Sequence, residues 1–138
     1  MKIKKKKTSE EENCIFCKIV NKEIPCYKVW ENKKYLAFLD MNPINPGHVL
    51  LIPKKHTNYI FDLKNVEYLR LMNNTKKIAK LLKEKLNCKR IGIAVEGFFV
   101  PHVHVHIVPL NQGNELNPER AKPMNKEDLK KIQEKITK

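Results

Sequence analysis

Three histidines stand at every second position, His102, His104 and His106, and alternate with Val103, Val105 and Ile107. A two-residue period is that of a strand, so one face carries a row of imidazoles and the other an unbroken apolar stripe. Alternate side chains on a strand lie about 6.5–7 Å apart, close enough for the three rings to act on one small molecule. The chain holds only five histidines in all, and a fourth, His48, directly precedes the run Val49, Leu50, Leu51, Ile52. Continuous apolarity marks a central strand covered on both faces, with Pro53 ending its regular pairing. The chain therefore builds a sheet with at least two strong strands, one of which carries the row of imidazoles.

The remaining segments fit around that sheet. Tyr27–Glu31 and Tyr35–Leu39, joined by the polar turn Asn32, Lys33, Lys34, read as a hairpin. A loop rich in Pro, Asn and Gly spans 40–47. Tyr68, Leu71, Thr75, Ile78, Leu82 and Leu86 recur at intervals of three or four, which predicts one long helix over about residues 65–86. Asp62 or Asn65 is the expected N-cap and Asn87 the expected C-cap. Ile91–Val95 and Val100–Pro109 are the last two strands. The order predicts an α+β fold, a mainly antiparallel five-stranded sheet with one long helix. At 138 residues the chain suits one domain. The expected boundaries are a flexible charged arm over 1–12, the domain over 13–110, and a polar extension over 111–138 with a weak helix near Lys126–Ile136.

Charge narrows the partners. The formal net charge is +13, yet of the 28 basic residues only Arg70, Arg90 and Arg120 are arginine. Arginine supplies the bidentate contacts of base and phosphate readers, whereas scattered lysine attracts anions without specifying them. No aromatic ladder for stacking bases accompanies the lysines, so specific nucleic-acid binding is not expected. No apolar run approaches the ~20 residues that span a bilayer, and no apolar segment of a signal peptide follows the basic start. The expected location is cytoplasmic, where Cys14, Cys17, Cys26 and Cys88 stay reduced.

A histidine row supports two chemistries. Imidazoles joined by cysteines suit a zinc ion, and Cys14-x-x-Cys17 supplies half of such a site. Alternatively, a neutral ring attacks an electrophile while a neighbour donates a proton. The two coexist if the histidines divide the roles.

The run His102-Val103-His104-Val105-His106-Ile107-Val108 resembles the signature of the histidine triad (HIT) family. Cys14-Ile15-Phe16-Cys17-Lys18-Ile19, Leu36–Asp40, and Pro46-Gly47-His48 through Pro53-Lys54-Lys55-His56 extend the likeness to its HINT-like nucleotide-binding branch, over residues 13 to about 109. The resemblance implies a HIT-like fold and a hydrolase or nucleotidyl transferase acting at the α-phosphate of purine nucleoside phosphoramidates or dinucleoside polyphosphates. By that likeness His104 is the nucleophile that forms a nucleotidyl-histidine, and His106 is a cationic partner of phosphate or leaving group. Asp40 would accept the ribose hydroxyls, Ile15, Phe16, Phe38 and Met41 would wall the base, and Phe99 would lie near the phosphate with its backbone N–H. Cys14, Cys17, His48 and His102 match the ligands of a structural zinc in the Cys-x-x-Cys variant. No magnesium requirement is expected, since imidazoles rather than carboxylates dominate the site. A homodimer, with AMP or GMP as product, is also implied. The chain departs from the family pattern before the triad, where Val95 replaces an asparagine and Phe98 and Phe99 replace polar residues. A non-catalytic nucleotide-binding regulatory protein is the alternative reading.

Overall fold

The structure, a computed structural model, describes residues 7–138. Five strands form a single sheet in the order β1 (Lys28–Glu31), β2 (Tyr35–Leu39), β3 (Val49–Pro53), β5 (Val105–Leu110), β4 (Arg90–Ala94). Every neighbouring pair is antiparallel. β3 is central, and all five of its residues are buried, as its unbroken apolar run requires. Side chains alternate across it. Val49 and Leu51, with Ala37, Leu39, Val105 and Ile107, face one hydrophobic cluster. Leu50 and Ile52, with Leu36 and Phe38, face a second.

Two helices cover the first face. α3 (Asn65–Lys85) lays Leu71, Ile78 and Leu82 on the sheet, each with no exposed surface. Burying a side chain of that size contributes roughly 1.5–3 kcal/mol. Lys64, not Asp62 or Asn65, occupies the N-cap position, without a side-chain cap hydrogen bond, and the helix ends at Leu86. α4 (Lys126–Thr137) is a full helix capped by Asn125, whose side chain accepts from the N–H of Asp128. Its Leu129 and Ile136 are about as buried as the residues of α3, so the C-terminal segment completes the core.

The second face is covered from the N-terminal side. α2 (Ile15–Val20) inserts Phe16 and Cys17 against Leu36, Phe38, Leu50 and Ile52. Just before it, α1 (Ser9–Asn13) occupies part of the expected flexible arm, while residues 1–6 of that arm lie outside the described residues. The strand predicted over Val100–Pro109 is shorter than expected. Regular pairing begins only at Val105, because the backbone at 102–103 bonds elsewhere: the Val103 N–H donates to the Thr57 carbonyl at 2.7 Å. Among the described residues no helix is long and apolar enough to cross a membrane.

Candidate active site and metal centre

The antiparallel register of β3 and β5 sorts the histidines into two groups. Leu50 is opposite His106, and Leu51 is opposite Val105. The chain before β5 therefore runs towards the Pro53 end of β3, and the chain within β5 towards its His48 end. His102 meets the segment after Pro53, and His106 meets His48.

At the Pro53 end, Cys14, Cys17, His56 and His102 bring one ligand atom each to within 4.8 Å of all the others. Nδ1 of His102 lies 3.3 Å from Sγ of Cys14 and 3.2 Å from Nδ1 of His56, and Nδ1 of His56 lies 3.3 Å from Sγ of Cys17. Tetrahedral zinc with bonds of roughly 2.0–2.3 Å sets its ligands about 3.3–3.8 Å apart, so this donor set fits the ion. The tautomer fits too. His102 donates its Nε2–H to the Pro53 carbonyl at 2.8 Å, which leaves a lone pair on Nδ1. Burial pushes the Cys17 thiol up to about 12, with the Cys14 thiol adding to the shift, so a cation is needed to draw off its proton. Cys14 is also the N-cap of α2, its sulfur accepting the N–H of Cys17 at 3.4 Å.

This corrects the expected ligand set in one member. His48 is not in the cluster; His56 takes its place. The separation follows from strand length, because β3 lies between the two histidines and holds them at its opposite ends. The signal was present in the sequence: antiparallel pairing of the two strands puts the first triad histidine next to the residues after Pro53. Cys26 and Cys88 are half-buried and free, and among the described residues neither joins such a cluster.

At the other end, His104 and His106 face each other with ring centroids 5.0 Å apart. His104 donates its Nδ1–H to the carbonyl of His102 at 2.7 Å, so its Nε2 carries the free lone pair. Burial holds its pKa below the usual value for histidine, which keeps the ring neutral. The ring of Phe16 packs edge-on against it at 5.0 Å and against Phe38 at 5.8 Å.

His48 is set by its neighbours. Its Nδ1 accepts the N–H of Ile44 at 3.0 Å, so its proton sits on Nε2 and is donated to Nδ1 of His106, also at 3.0 Å. His106 then carries its own proton on Nε2. Burial pushes His48 down to about 3 and His106 to about 4, with the neighbouring imidazole in each case adding to the shift. His106 is thus a neutral N–H donor here, where a cationic partner was expected. Gly47, at φ +91°, brings the chain into this position, and a Cβ there would overlap Leu86.

Asp40 Oδ2 is 3.6 Å from Nε2 of His48, and Oδ1 accepts the N–H of Asn42 at 2.9 Å. Burial raises the pKa of Asp40, and the Asn42 bond opposes the rise. Asp40, His48 and His106 also lie within metal-ligand distance of one another. The hydrogen bond from Ile44 argues against a metal there, since Nε2 of His48 must keep its proton. Of the other residues expected at the site, Phe16 and Phe38 are buried beneath the histidines, while Ile15 and Met41 are about half exposed at its rim. Phe99 is 95% exposed and borders a pocket of about 360 Å³ with Ile15, Cys14 and Glu10.

Known proteins resemble this chain in sequence and fold. The family profile described as the HIT domain matches residues 21–113. An uncharacterised HIT-like protein of Methanocaldococcus jannaschii is 42% identical over 106 residues, covering 73% of this chain and 81% of its own. The adenosine 5'-monophosphoramidase hnt1 of Schizosaccharomyces pombe is 40% identical over 98 residues, covering 70% and 74%. Among solved structures, a HIT-like protein of Bartonella henselae described as involved in cell-cycle regulation superposes with a TM-score of 0.82 at 32% identity, covering 91% of this chain and 95% of that one. A zinc-bound histidine triad protein of Mycobacterium smegmatis superposes at 0.73 with 29% identity, covering 91% and 94%. With its triad, its sheet order and these matches in agreement, the chain belongs to the histidine triad family.

Proposed function

We propose that the chain hydrolyses purine nucleoside phosphoramidates or related α-phosphate esters and anhydrides through a covalent histidine intermediate. The observation that carries this reading is the clamp on His104: its Nδ1–H is fixed by the His102 carbonyl, so Nε2 is the free nucleophile. Nε2 attacks the α-phosphorus, the bond from phosphorus to the leaving amine or phosphate breaks, and a nucleotidyl-His104 forms. The Nε2–H of His106 donates a hydrogen bond to the departing atom, which leaves with a proton taken from solvent. Water then attacks the phosphorus, the bond from phosphorus to Nε2 of His104 breaks, a proton passes to solvent, and the monophosphate and free His104 are released. Asp40 is the acceptor for the ribose hydroxyls, and Phe16 and Phe38, with Ile15 and Met41 at the rim, form the apolar bed for the base. Zinc, when bound by Cys14, Cys17, His56 and His102, supplies a cross-link between the N-terminal segment and the strand that carries the nucleophile.

The relatives support the substrate class, since those of Schizosaccharomyces pombe, Saccharomyces cerevisiae and Candida albicans are named adenosine 5'-monophosphoramidases. The direct test is incubation with adenosine 5'-phosphoramidate and, separately, with a diadenosine polyphosphate. Wild type is expected to release AMP, and His104→Ala to release none. Equal release by both proteins overturns the assignment of the nucleophile. Binding of AMP without turnover of either compound selects the regulatory alternative.

The same reading includes a homodimer. Tyr59, Phe61, Val66 and Leu69 are all about half exposed or more, on one stretch ending in α3, and Ile93 is exposed on the edge strand β4. Apolar surface beside an unpaired strand edge suits a second copy of the chain.

A further inference from the structure

The two imidazoles of the metal centre are not equally finished. The outer nitrogen of His102 is bonded to the Pro53 carbonyl. His56 presents Nδ1 to the cluster, so its proton lies on Nε2, and that nitrogen is buried without a hydrogen-bond partner. Among the described residues it is the one buried side-chain nitrogen or oxygen left in this state. The side chain of His56 is 7% exposed, so bulk water does not readily satisfy it. A buried donor left unpaired costs about 1–3 kcal/mol.

Facing it at 3.7 Å is Oε2 of Glu10. The gap slightly exceeds a hydrogen bond, and the Glu10 side chain is 63% exposed and free to close it. Its backbone is already held. The Thr8 hydroxyl accepts the N–H of Glu11, the Asn13 amide donates to the Ser9 carbonyl, and α1 runs directly into Cys14, itself a ligand. Zinc drawn onto Nδ1 makes the N–H on the far side of the ring a stronger donor, and a carboxylate is its natural acceptor. Glu10, like the ligands Cys14 and Cys17, lies before the residues matched by the family profile.

We propose that Glu10 is the outer partner of the zinc ligand His56 and latches helix α1 onto the metal centre. Glu10 is a positioning residue: it fixes the ring of His56 and does not touch the metal. The proposal builds on the zinc reading and is tested on full-length zinc-loaded protein, by transfer of the metal to a chromogenic chelator. Glu10→Ala is expected to lose zinc about 10-fold faster than wild type, near the lower end of the ~10–100-fold typical for such partners. Glu10→Gln, which keeps an acceptor oxygen, is expected between the two, and Glu12→Ala at the wild-type rate. Hydrogen exchange gives a second readout: zinc should slow exchange of the α1 amides in wild type and not in Glu10→Ala. Wild-type release from Glu10→Ala overturns the latch while leaving the zinc site standing. Equal acceleration by Glu12→Ala also overturns it, in favour of diffuse charge. A wild-type protein that takes up no zinc overturns the metal reading itself, a result distinct from both.

Discussion

Each histidine of the site is committed by what holds its other nitrogen. His104 gives one N–H to a carbonyl and is left with a lone pair, while His106 accepts from His48 and is left with a proton. Replacing His48 by phenylalanine removes the donor that fixes the tautomer of His106. The expected result is a fall in kcat of about 10²-fold, as for one lost transition-state hydrogen-bond donor, with little change in the affinity for AMP. A fall in affinity with kcat intact would contradict the relay. The same ring has a signature in stability. His48 titrates at about 3 in the fold against 6.5 in the unfolded chain. As pH falls below 6.5 the unfolded state takes up its proton first. The stabilisation is therefore whole above 6.5 and drains away towards 3. The melting temperature should drop between pH 6.5 and 5, and less steeply in His48→Phe; a flat profile in wild type would refute the shift. The sequence carries the nature of these residues through their alternation, but not their partners. The expected ligand is His48 rather than His56 because partnership depends on which end of β3 each triad residue meets, and that follows only once β3 and β5 are paired antiparallel.

The elements differ in how openly the sequence declares them. The unbroken run of β3 and the three-to-four spacing of α3 predict both within a residue or two of their observed bounds, because burial on such faces leaves few alternatives. The segment before β5 has the alternation of a strand and is not one. Its alternation is real, but the Val103 N–H bonds the Thr57 carbonyl and the His102 carbonyl accepts from the His104 ring, so regular pairing starts later. α4 was underrated for a related reason: a polar helix with three apolar residues looks marginal until Leu129 and Ile136 are found in the main core. Ile136→Ala should accordingly cost about 2–5 kcal/mol in chemical denaturation, as a fully buried truncation does. A loss under about 0.5 kcal/mol, the range of surface changes, would mean that α4 is an appendage.

For the whole molecule, the charge of +13 is the least informative number in the sequence and the sheet order the most informative feature of the fold. Leu69→Glu puts a charge into the proposed dimer face and leaves the core untouched, since Leu69 is 64% exposed. Sedimentation should report a dimer for wild type and a monomer for the variant; an unchanged dimer would place the interface elsewhere. The order of the zinc ligands along the chain has a further consequence, for synthesis. Cys14 and Cys17 leave the ribosome early, and His102 follows Cys17 only 85 residues later. At about 5–20 residues per second that interval is roughly 4–17 s. Throughout it the two thiols wait in a nascent chain without their last ligand. The proposed nucleophile, His104, donates to the carbonyl of that same residue, so one short segment supplies both the last metal ligand and the reactive ring.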